Sequence, residues 1–455
     1  MAELEGELLS DMDGLAMQDM SHLEDLDLLD GPSLEDELSG TAAAEGSLAG
    51  TEEESADAPA VDSAQSTPPA DEDSVPRQTY RERVQVYEAA LNIDPIDRKV
   101  IEKLSFAGIP DAPGLRGRYW KILLHYLPRK HEYWEEELAK NRKTYRDWIQ
   151  ELILDPHEKY TSRNEGAEDV SSFDHPLSMS DDSVWKQYFA DREMMEEIDK
   201  DVRRTFPHLH FFNKDGEVGS TRHHESLRRI LFIYAKLNPG ICYVQGMNEL
   251  LGPIYYSIAL DPTLDADAAE ADGFHCFKNL MAEVRDNFCK TLDHSELGIT
   301  ANMRILNQLV KRMDKALWQH LEEQSLNPQF YSFRWITLLL SQEFDLPEVL
   351  RLWDCLLADP SRFEFFRFCC VAMLQCVRDR LMANDFATNL KLLQSYPPEI
   401  ELTTILRVAN DLRERYREEE AAKKEAAKPP PPQPAPAEAE RTGFFSFFTS
   451  SPARK

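Results

Sequence analysis

The first 76 residues of the chain contain no lysine and no arginine, against 22 aspartates and glutamates. The formal net charge of the whole chain is −31, so this segment carries most of the acidity and the other residues carry only about −9. A protein that binds nucleic acid through its surface needs clustered positive charge to neutralise phosphates. We therefore expect no nucleic-acid partner.

Glycine is scarce as well. The 455 residues include 18 glycines, fewer than the average usage of about 7% gives. The sequence contains neither G-x-x-x-x-G-K-[ST] nor G-x-G-x-x-G, the motifs whose backbone N–H groups hold phosphates. We expect a chain that binds no nucleotide and carries no cofactor or metal of its own.

The seven cysteines follow no metal-binding or disulfide pattern. Their number is odd, no two are spaced as C-x-x-C, and most lie in apolar surroundings. Reduced, buried thiols in the cytosol are the plain interpretation. The N-terminus lacks a signal-peptide pattern, and no apolar run approaches the ~18 residues that span a bilayer. We expect a cytoplasmic protein with at most peripheral association with endomembranes.

Both ends of the sequence have the composition of disordered tails. Residues 1–78 are acidic and then rich in Ala, Ser, Thr and Pro, with too little apolar surface to offset the entropy of ordering. Their leucine-containing part, 3–38, either folds on a partner or remains a solvating tail. Residues 421–455 combine a proline-rich linker with the aromatic cluster Phe444–Phe448, which docks on a partner or membrane surface or has no role. Ser451 precedes a proline and is a candidate phosphorylation site.

The segment between the tails, 79–420, has helical periodicity almost throughout. The expected helices are 80–91, 97–104, 115–127, 131–154, 183–205, 222–237, 247–260, 272–289, 303–321, 332–343, 347–357, 363–382, 386–393 and 401–417. No stretch alternates with period two for long enough to propose a sheet, so the fold class is all-α. Residues 156–182 are polar and aperiodic, which predicts a long exposed loop inserted in the domain.

A conspicuous polar side chain, Gln245, follows the turn signal Asn238–Gly240 and precedes an apolar helix. This places it at a junction between loop and helix, from which a side chain projects from a rigid frame. A polar residue at a helix start is more often a cap or a hydrogen-bonded structural amide. Its function must therefore be argued from the residues around it.

Two further motifs are ordinary when taken singly. In Ile198-x-x-Asp201-x-x-Arg204, the aspartate and arginine can pair at i, i+3 on a helix that Pro207 ends. A cation at the end of a helix also suits the helix dipole, which explains the arginine without any function. Arg116 and Trp120 are four residues apart and share one helix face, an arrangement typical of a packing or cation–π anchor.

Together and in this order, these motifs resemble the signature of the TBC domain family of Rab GTPase-activating proteins. The resemblance covers roughly residues 108–415. Further stretches that resemble the family are Thr205–Pro207, Asn238–Asn248, Phe333–Trp335, Glu343-Phe344 and Val349–Asp354. The insertion at 156–182 and both tails depart from the family pattern. The resemblance implies one large multi-helix domain in two helical subdomains.

The resemblance also implies a mechanism in which this chain supplies two residues in trans to a GTP-bound Rab-family GTPase, and so regulates vesicle trafficking. Arg204 matches the arginine finger, which neutralises charge on the transferred phosphoryl group. Gln245 matches the glutamine finger, whose amide can hold the attacking water by donating and accepting at once. GTP and Mg²⁺ belong to the partner, so this chain is an activator rather than an enzyme with its own substrate.

Several residues are assigned to support of the two fingers. Asp201 matches the position that orients the arginine. The other supporting positions that the motifs imply are Ile198, Tyr243, Gly246, Asn248, Arg116 and Trp120. Two alternatives stay open: a non-catalytic Rab-binding scaffold of the same fold, and a self-contained metal or Ser/Cys hydrolase. No His, Asp and Glu spacing favours the hydrolase, since His223 and His224 are expected to be an exposed pair on a polar helix face.

Overall fold

The structure is a computed structural model of the chain, and it describes residues 79–153, 184–209, 211–212, 218–289 and 298–426. The expected acidic tail, the expected loop at 156–182 and nearly all of the expected C-terminal tail lie outside these ranges. So do Phe444–Phe448 and Ser451. The domain boundaries therefore stay a prediction, although residues 421–426 continue the last helix.

The described residues form sixteen α-helices and no strand, which confirms the all-α fold class. In chain order they are α1 Tyr80–Leu91, α2 Arg98–Ala107, α3 Leu115–Leu123, α4 Trp134–Leu152, α5 Val184–Arg203, α6 Val218–Leu237, α7 Met247–Ala259, α8 Ala266–Val284, α9 Ile299–Met313, α10 Lys315–Glu323, α11 Gln329–Thr337, α12 Leu346–Ala358, α13 Glu364–Cys376, α14 Arg378–Ala383, α15 Phe386–Gln394 and α16 Leu402–Ala426. Two short 3₁₀ turns lie at His131–Tyr133 and Arg285–Phe288.

Polar side chains define where several helices begin. Thr79 and Glu82 form a reciprocal capping box at the start of α1. The carboxylates of Asp265, Asp314 and Asp385 accept backbone N–H groups at the starts of α8, α10 and α15. These side chains satisfy donors that the first turn of a helix leaves without an intrahelical acceptor.

The helices pack as two groups around one continuous hydrophobic core. In the first group α7 contacts α3, α6 and α8, while α4 packs on α8 and α5 on α6. In the second group α13 packs on α9 and α16, and α11 on α9 and α15. Helix α12 contacts members of both, since it meets α2, α3 and α7 as well as α13 and α16. This arrangement agrees with the two helical subdomains expected from the sequence.

Helices α7 and α12 form the centre of the domain. Eleven of the thirteen residues of α7 are buried, and so are ten of the thirteen residues of α12. A helix that is buried on all sides lies in the interior of a domain rather than on its surface. Pro253 lies within α7, as expected. Because α7 is held in the interior, the turn that precedes it is held in place as well. Gln245 belongs to that turn.

Three expected helices are shorter or broken. The helix expected at 115–127 ends at Leu123, because His125 adopts φ 57° and the chain turns back to the Lys121 carbonyl. The helix expected at 303–321 breaks at Asp314, and the one expected at 363–382 breaks at Val377. The two breaks are adjacent in space, since Arg378 Nε donates to Asp314 Oδ2 at 2.6 Å. A tertiary ion pair thus joins the two points at which the helices break.

A fourth helix, expected at 332–343, ends at Thr337 and gives way to a turn over residues 338–342. Two consecutive non-glycine residues there, Leu339 and Leu340, have φ of 51° and 61°. Residues other than glycine seldom adopt this left-handed backbone conformation. They keep it only where the surrounding structure holds them in it. Part of this restraint is a hydrogen bond from the Trp353 indole N–H to the Leu339 carbonyl, at 3.1 Å.

All seven cysteines are free, and Cys276, Cys355, Cys369 and Cys370 are buried. Burial raises the pKa of each of these four thiols above the ordinary value, so they remain protonated and inert. Cys242 is the exposed one. The expectation of reduced and mostly buried thiols agrees with this arrangement.

Candidate functional site

Arg204 lies at the point where α5 ends. Ile198 and Val202 anchor the last turns of the helix in the core with no exposed surface. The helix closes with i→i+3 bonds from the Arg204 and Thr205 backbone N–H groups, and Phe206 then adopts φ 45°. The arginine therefore leaves a rigid helix end, rather than a flexible loop, with its side chain directed outward.

One buried carboxylate holds the Arg204 side chain. The guanidinium Nη2 donates to Asp201 Oδ1 at 2.8 Å. The side chain of Asp201 is only 6% exposed, while that of Arg204 is 48% exposed. An arginine has five donor hydrogens in a fixed fork, so one bond to Asp201 orients the group and leaves most of its donors directed to solvent.

The same carboxylate connects Arg204 to the segment that carries Gln245. The Tyr243 hydroxyl donates to Asp201 Oδ2 at 2.5 Å, across 42 residues of sequence. Burial, and then the neighbouring carboxylate, raise the pKa of Tyr243 above its ordinary value, so this hydroxyl remains a donor. Asp201 thus accepts one bond from each of the two segments on which the predicted fingers lie.

Asn248 makes a second connection between these segments. Its amide nitrogen is directed at the Asp201 carbonyl at 3.3 Å and at the Thr205 hydroxyl at 3.0 Å, and its amide oxygen accepts from the Gly246 backbone N–H at 3.2 Å. Asn248 is 2% exposed. Because a buried amide left without partners is costly, these bonds fix the register between the end of α5 and the start of α7.

Gln245 itself is exposed and lies in the turn directly before α7. Within the described residues, its amide makes no hydrogen bond. Gly246 follows with φ 99°, a value that favours glycine, and a Cβ at this position would come within 2.8 Å of the Leu338 side chain. Cys242, on the other side, has φ 60°. The backbone on both sides of Gln245 is thus tightly held while its side chain is free to contact a partner.

Two residues near the fingers were not found from the sequence. Glu249 is 6% exposed and accepts from Asn248 Nδ2 at 2.9 Å. Burial raises the pKa of Glu249 to about 7, although hydrogen bonds from Gln342 and Asn248 and the charge of Arg204 oppose the rise. A carboxylate placed one residue after Asn248 in an otherwise apolar helix was the signal in the sequence. The 338–342 turn, which provides Gln342, had no such signal.

Arg116 and Trp120 lie elsewhere, around Asp354. Arg116 Nε and Trp120 Nε1 both reach Asp354 Oδ1, at 3.3 and 2.8 Å, and the Ile109 backbone N–H donates to Oδ2 at 3.0 Å. Asp354 is fully buried, and this burial raises its pKa to about 6. The two residues meet through this carboxylate and make no hydrogen bond to Asp201, Arg204 or Gln245, so their support of the fingers stays a prediction.

The expectation that His223 and His224 form an exposed pair is wrong. His224 is buried, not exposed, and the ring of His223 stacks on Phe211 with centroids 3.9 Å apart. Burial lowers the pKa of His223, which disfavours a charged imidazole there. In the part of the chain that the structure describes, no three His, Cys, Asp or Glu side chains are placed to hold a metal ion. No described helix is long and apolar enough to cross a bilayer.

Comparison with known proteins defines the class of the protein. The Rab-GTPase-TBC domain family model matches residues 113–382, and the chain belongs to this family. It is 41% identical to TBC1 domain family member 13 of Homo sapiens over 395 residues, which cover 74% of this chain and 98% of that protein.

Two further comparisons agree with this family. The GTPase-activating protein GYP1 of Saccharomyces cerevisiae is 28% identical over 286 residues, which cover 59% of this chain and 38% of that protein. The crystal structure of the Ypt/Rab-GAP domain of Gyp1p superposes with a TM-score of 0.58 at 26% identity, covering 73% of this chain and 97% of that chain.

Proposed function

We propose that this protein is a GTPase-activating protein for a Rab-family small GTPase. The family to which the chain belongs supports this activity, as do the names of its relatives GYP1 and Gyp1p. The observation that carries the proposal is the joint frame of Arg204 and Gln245. Asp201, Tyr243 and Asn248 connect their two segments by buried hydrogen bonds, so both side chains extend from one rigid body.

Arg204 acts on the charge that develops during hydrolysis. A small GTPase hydrolyses GTP slowly on its own, because negative charge on the phosphoryl oxygens is incompletely neutralised. An inserted guanidinium is worth about 10³–10⁵ in rate in the general case. The bond from Asp201 holds Arg204 before the partner arrives, so less orientational freedom is lost when the guanidinium reaches the phosphate.

Gln245 acts on the attacking water. A carboxamide donates from its nitrogen and accepts at its oxygen, so it can hold a water molecule in line with the scissile bond. An amide with no internal hydrogen bond loses nothing within this chain when it enters the site of the partner. GTP and Mg²⁺ are carried by the GTPase, and this chain contributes only side chains to the reaction.

The experiment is a single-turnover assay of GTP hydrolysis across a panel of GTP-loaded Rabs, each with and without the full-length chain. We expect the wild type to accelerate at least one Rab and the Arg204→Ala and Gln245→Ala variants each to lose that acceleration. Arg203→Ala and Gln150→Ala are matched controls, because both residues are exposed and neither bonds to Asp201: Arg203 pairs with Asp199 on α5, and Gln150 lies on α4. Full acceleration by Arg204→Ala would show that the assigned mechanism is wrong.

The scaffold alternative gives different results in the same panel. A scaffold binds GTP-loaded Rab without accelerating hydrolysis, and its cellular function survives when both fingers are removed. Rescue of a cellular phenotype by the Arg204→Ala, Gln245→Ala double variant would therefore favour recruitment over catalysis. Loss of rescue by the double variant, with retention by Arg203→Ala, supports activation in trans.

A further inference from the structure

A second site of a different kind lies away from the two fingers. A cavity of about 510 Å³ is bordered by the end of α8 and the 3₁₀ turn after it, by α9, by the end of α11 and by the start of α13. This volume falls within the range of about 300–1,000 Å³ that is usual for small-molecule sites. No part of the proposed activation mechanism uses this cavity.

Much of the cavity wall is apolar. Leu306, Ile336, Leu339 and Phe366 line it, and each is less than 6% exposed. Phe363 adds an aromatic ring from the residue before α13 and adopts φ 57°. Elements that are distant in sequence thus converge on one pocket, which can take an aliphatic or aromatic body and release the water around it.

Arg367 is a charged group in this wall that forms no ion pair with any described residue. Its Nη2 makes one long bond, 3.4 Å, to Asn302 Oδ1, and the guanidinium forms no ion pair with a carboxylate of the described residues. Burial lowers the pKa of Arg367, and the more distant charge of Glu364 offsets this in part. A desolvated cation without a counterion is unfavourable, and a bound anion removes that cost.

Asn302 and Asn287 extend the polar side of the pocket. Asn302 Nδ2 donates to Asn287 Oδ1 at 2.9 Å, while Asn302 Oδ1 faces Arg367. All three side chains line the cavity. The relay fixes the Asn302 oxygen as an acceptor toward Arg367, which orients the guanidinium along the polar wall. The pocket thus has one polar side, with a fixed cation, and one apolar side.

The other charged groups at the cavity do not cancel this cation. Arg362 and Glu283 pair at 3.3 Å, and the remaining donors of Arg362 go to the Leu357 and Leu123 carbonyls. Asp286 has a side chain that is 48% exposed, so water screens its charge. Partial desolvation of the His125 ring, and then the nearby charges of Arg98 and Arg362, lower the pKa of His125, which favours the neutral form.

We propose that this cavity binds a small molecule with an apolar body and a single anionic head, a carboxylate or a phosphate monoester, whose head pairs with Arg367. The site stands on the cavity, the apolar wall and the unpaired guanidinium, and it does not depend on the proposed function. Arginine suits either head group, because its planar fork matches two oxygens at once.

The test is isothermal titration calorimetry of the full-length chain with three probes of equal chain length: octanoate, octyl phosphate and 1-octanol. We expect at least one anionic probe to bind with a dissociation constant of about 1 mM or tighter and 1-octanol to bind at least ten-fold more weakly. The stronger of the two anionic probes identifies the head group. A wild-type chain that binds neither anion, or that binds 1-octanol equally well, overturns the proposal.

Variants locate the binding. Arg367→Gln is expected to weaken the anionic probe at least ten-fold and to leave binding of 1-octanol unchanged. Arg407→Gln is the matched control, since this arginine is 68% exposed on α16 and lies outside the cavity. Thermal unfolding checks that Arg367→Gln remains folded. If it does not, Asn302→Ala gives the same test with a smaller expected loss, and unchanged affinity in the folded variant overturns the proposal.

Discussion

Two buried aspartates in this domain each hold an arginine, and they do so differently. At Asp354, the arginine is Arg116, whose side chain is 12% exposed. At Asp201, the arginine is Arg204, whose side chain is 48% exposed. The carboxylates themselves are almost equally buried, at 0% and 6%. The difference therefore lies in the exposure of the arginine. Arg116 is part of the core, whereas Arg204 is presented at the surface.

The other partners of the two aspartates reinforce this contrast. Asp354 also accepts from the Ile109 backbone and the Trp120 indole, so it ties the segments before and within α3 to α12. Asp201 also accepts from Tyr243, so it ties the end of α5 to the turn before α7. We infer that the first cluster serves stability and that the second serves orientation. Substitutions in each cluster test this distinction.

The largest expected effect is at Arg204. Arg204→Ala should lower the stimulated rate of GTP hydrolysis by the Rab about 10³–10⁵-fold, because in the proposed mechanism the guanidinium acts on the transition state. The free energy of unfolding should change by less than about 1 kcal/mol, since the guanidinium is half exposed and Asp201 keeps the hydrogen bond from Tyr243 when it is removed. Arg204→Lys should not restore the rate, because an ammonium lacks the planar fork. Single-turnover kinetics and urea unfolding measure the two quantities.

Arg203→Ala is the control for this prediction. Arg203 is 60% exposed and pairs with Asp199, so its removal should change neither rate nor stability appreciably. A large loss of stability in Arg204→Ala, rather than of rate, would contradict the distinction between the two aspartates.

The reverse outcome is expected at Arg116. Arg116→Ala removes one partner of a fully buried carboxylate, and breaking such a pair costs about 3–5 kcal/mol of unfolding free energy. Urea unfolding measures this loss. Arg118→Ala, two residues along the same helix, removes a partly exposed pair with Glu88 and should cost no more than about 1 kcal/mol. Equal stabilities of the two variants would show that Asp354 does not need its cation.

Stability should depend on pH through Glu249, beside the Asp201 cluster. Its pKa is about 7 in the fold, against about 4.3 in an unfolded chain. Between these values the folded state holds a proton that the unfolded state has released, so stability falls as pH rises through this window. The Glu249→Gln variant lacks this titrating carboxyl. The decrease in the free energy of unfolding between pH 5 and pH 8 should therefore be smaller in the variant than in the wild type, by roughly 2–3 kcal/mol.

Urea unfolding at the two pH values measures this prediction. Asp354, whose pKa is raised to about 6, also makes the free energy of unfolding fall as the pH rises, over a lower pH range. That contribution should persist in Glu249→Gln. An identical pH dependence of the wild type and Glu249→Gln would show that Glu249 titrates normally.

The smallest expected effect concerns the bond between the two segments. Tyr243→Phe removes the hydroxyl that holds Asp201 Oδ2, so Arg204 remains in place but is less well oriented. We expect the stimulated rate to fall about ten-fold, within the range that small misplacements produce, with a stability loss of about 1–2 kcal/mol. Tyr234→Phe is the control, because this tyrosine is also buried and its hydroxyl makes no hydrogen bond in the described structure. No change in rate would show that the Tyr243 bond does not contribute to the orientation of Arg204.

The sequence was sufficient for the fold class and for the residues that carry the motifs. Apolar periodicity predicted most helices, because it reflects which face each helix buries. It failed at Asp314 and Val377, where an ion pair between two helix ends outweighs local helical preference. It failed again after Thr337, since nothing in a run of leucines indicates two left-handed residues.

The candidate site was predicted only in its parts. Local spacing indicated the pair of Asp201 with Arg204, because three residues separate them on one helix. The bond from Tyr243 spans 42 residues and the bonds at Asp354 span more than 230, and single-sequence spacing contains no information on such contacts. For the same reason the contacts of Arg116 and Trp120 with Asp354 could not be predicted, and the support that these two residues were expected to give the fingers stays a prediction.

The close approach of Leu338 to Gly246 has a consequence for sequence change. A side chain at position 246 meets Leu338 and requires a left-handed backbone, while Leu338 is held next to the strained pair Leu339 and Leu340. The steric penalty of a change at 246 therefore depends on the residue at 338. Substitutions at 246 and 338 are therefore epistatic: a smaller residue at 338 relieves the steric part of the penalty at 246, and only the backbone part remains.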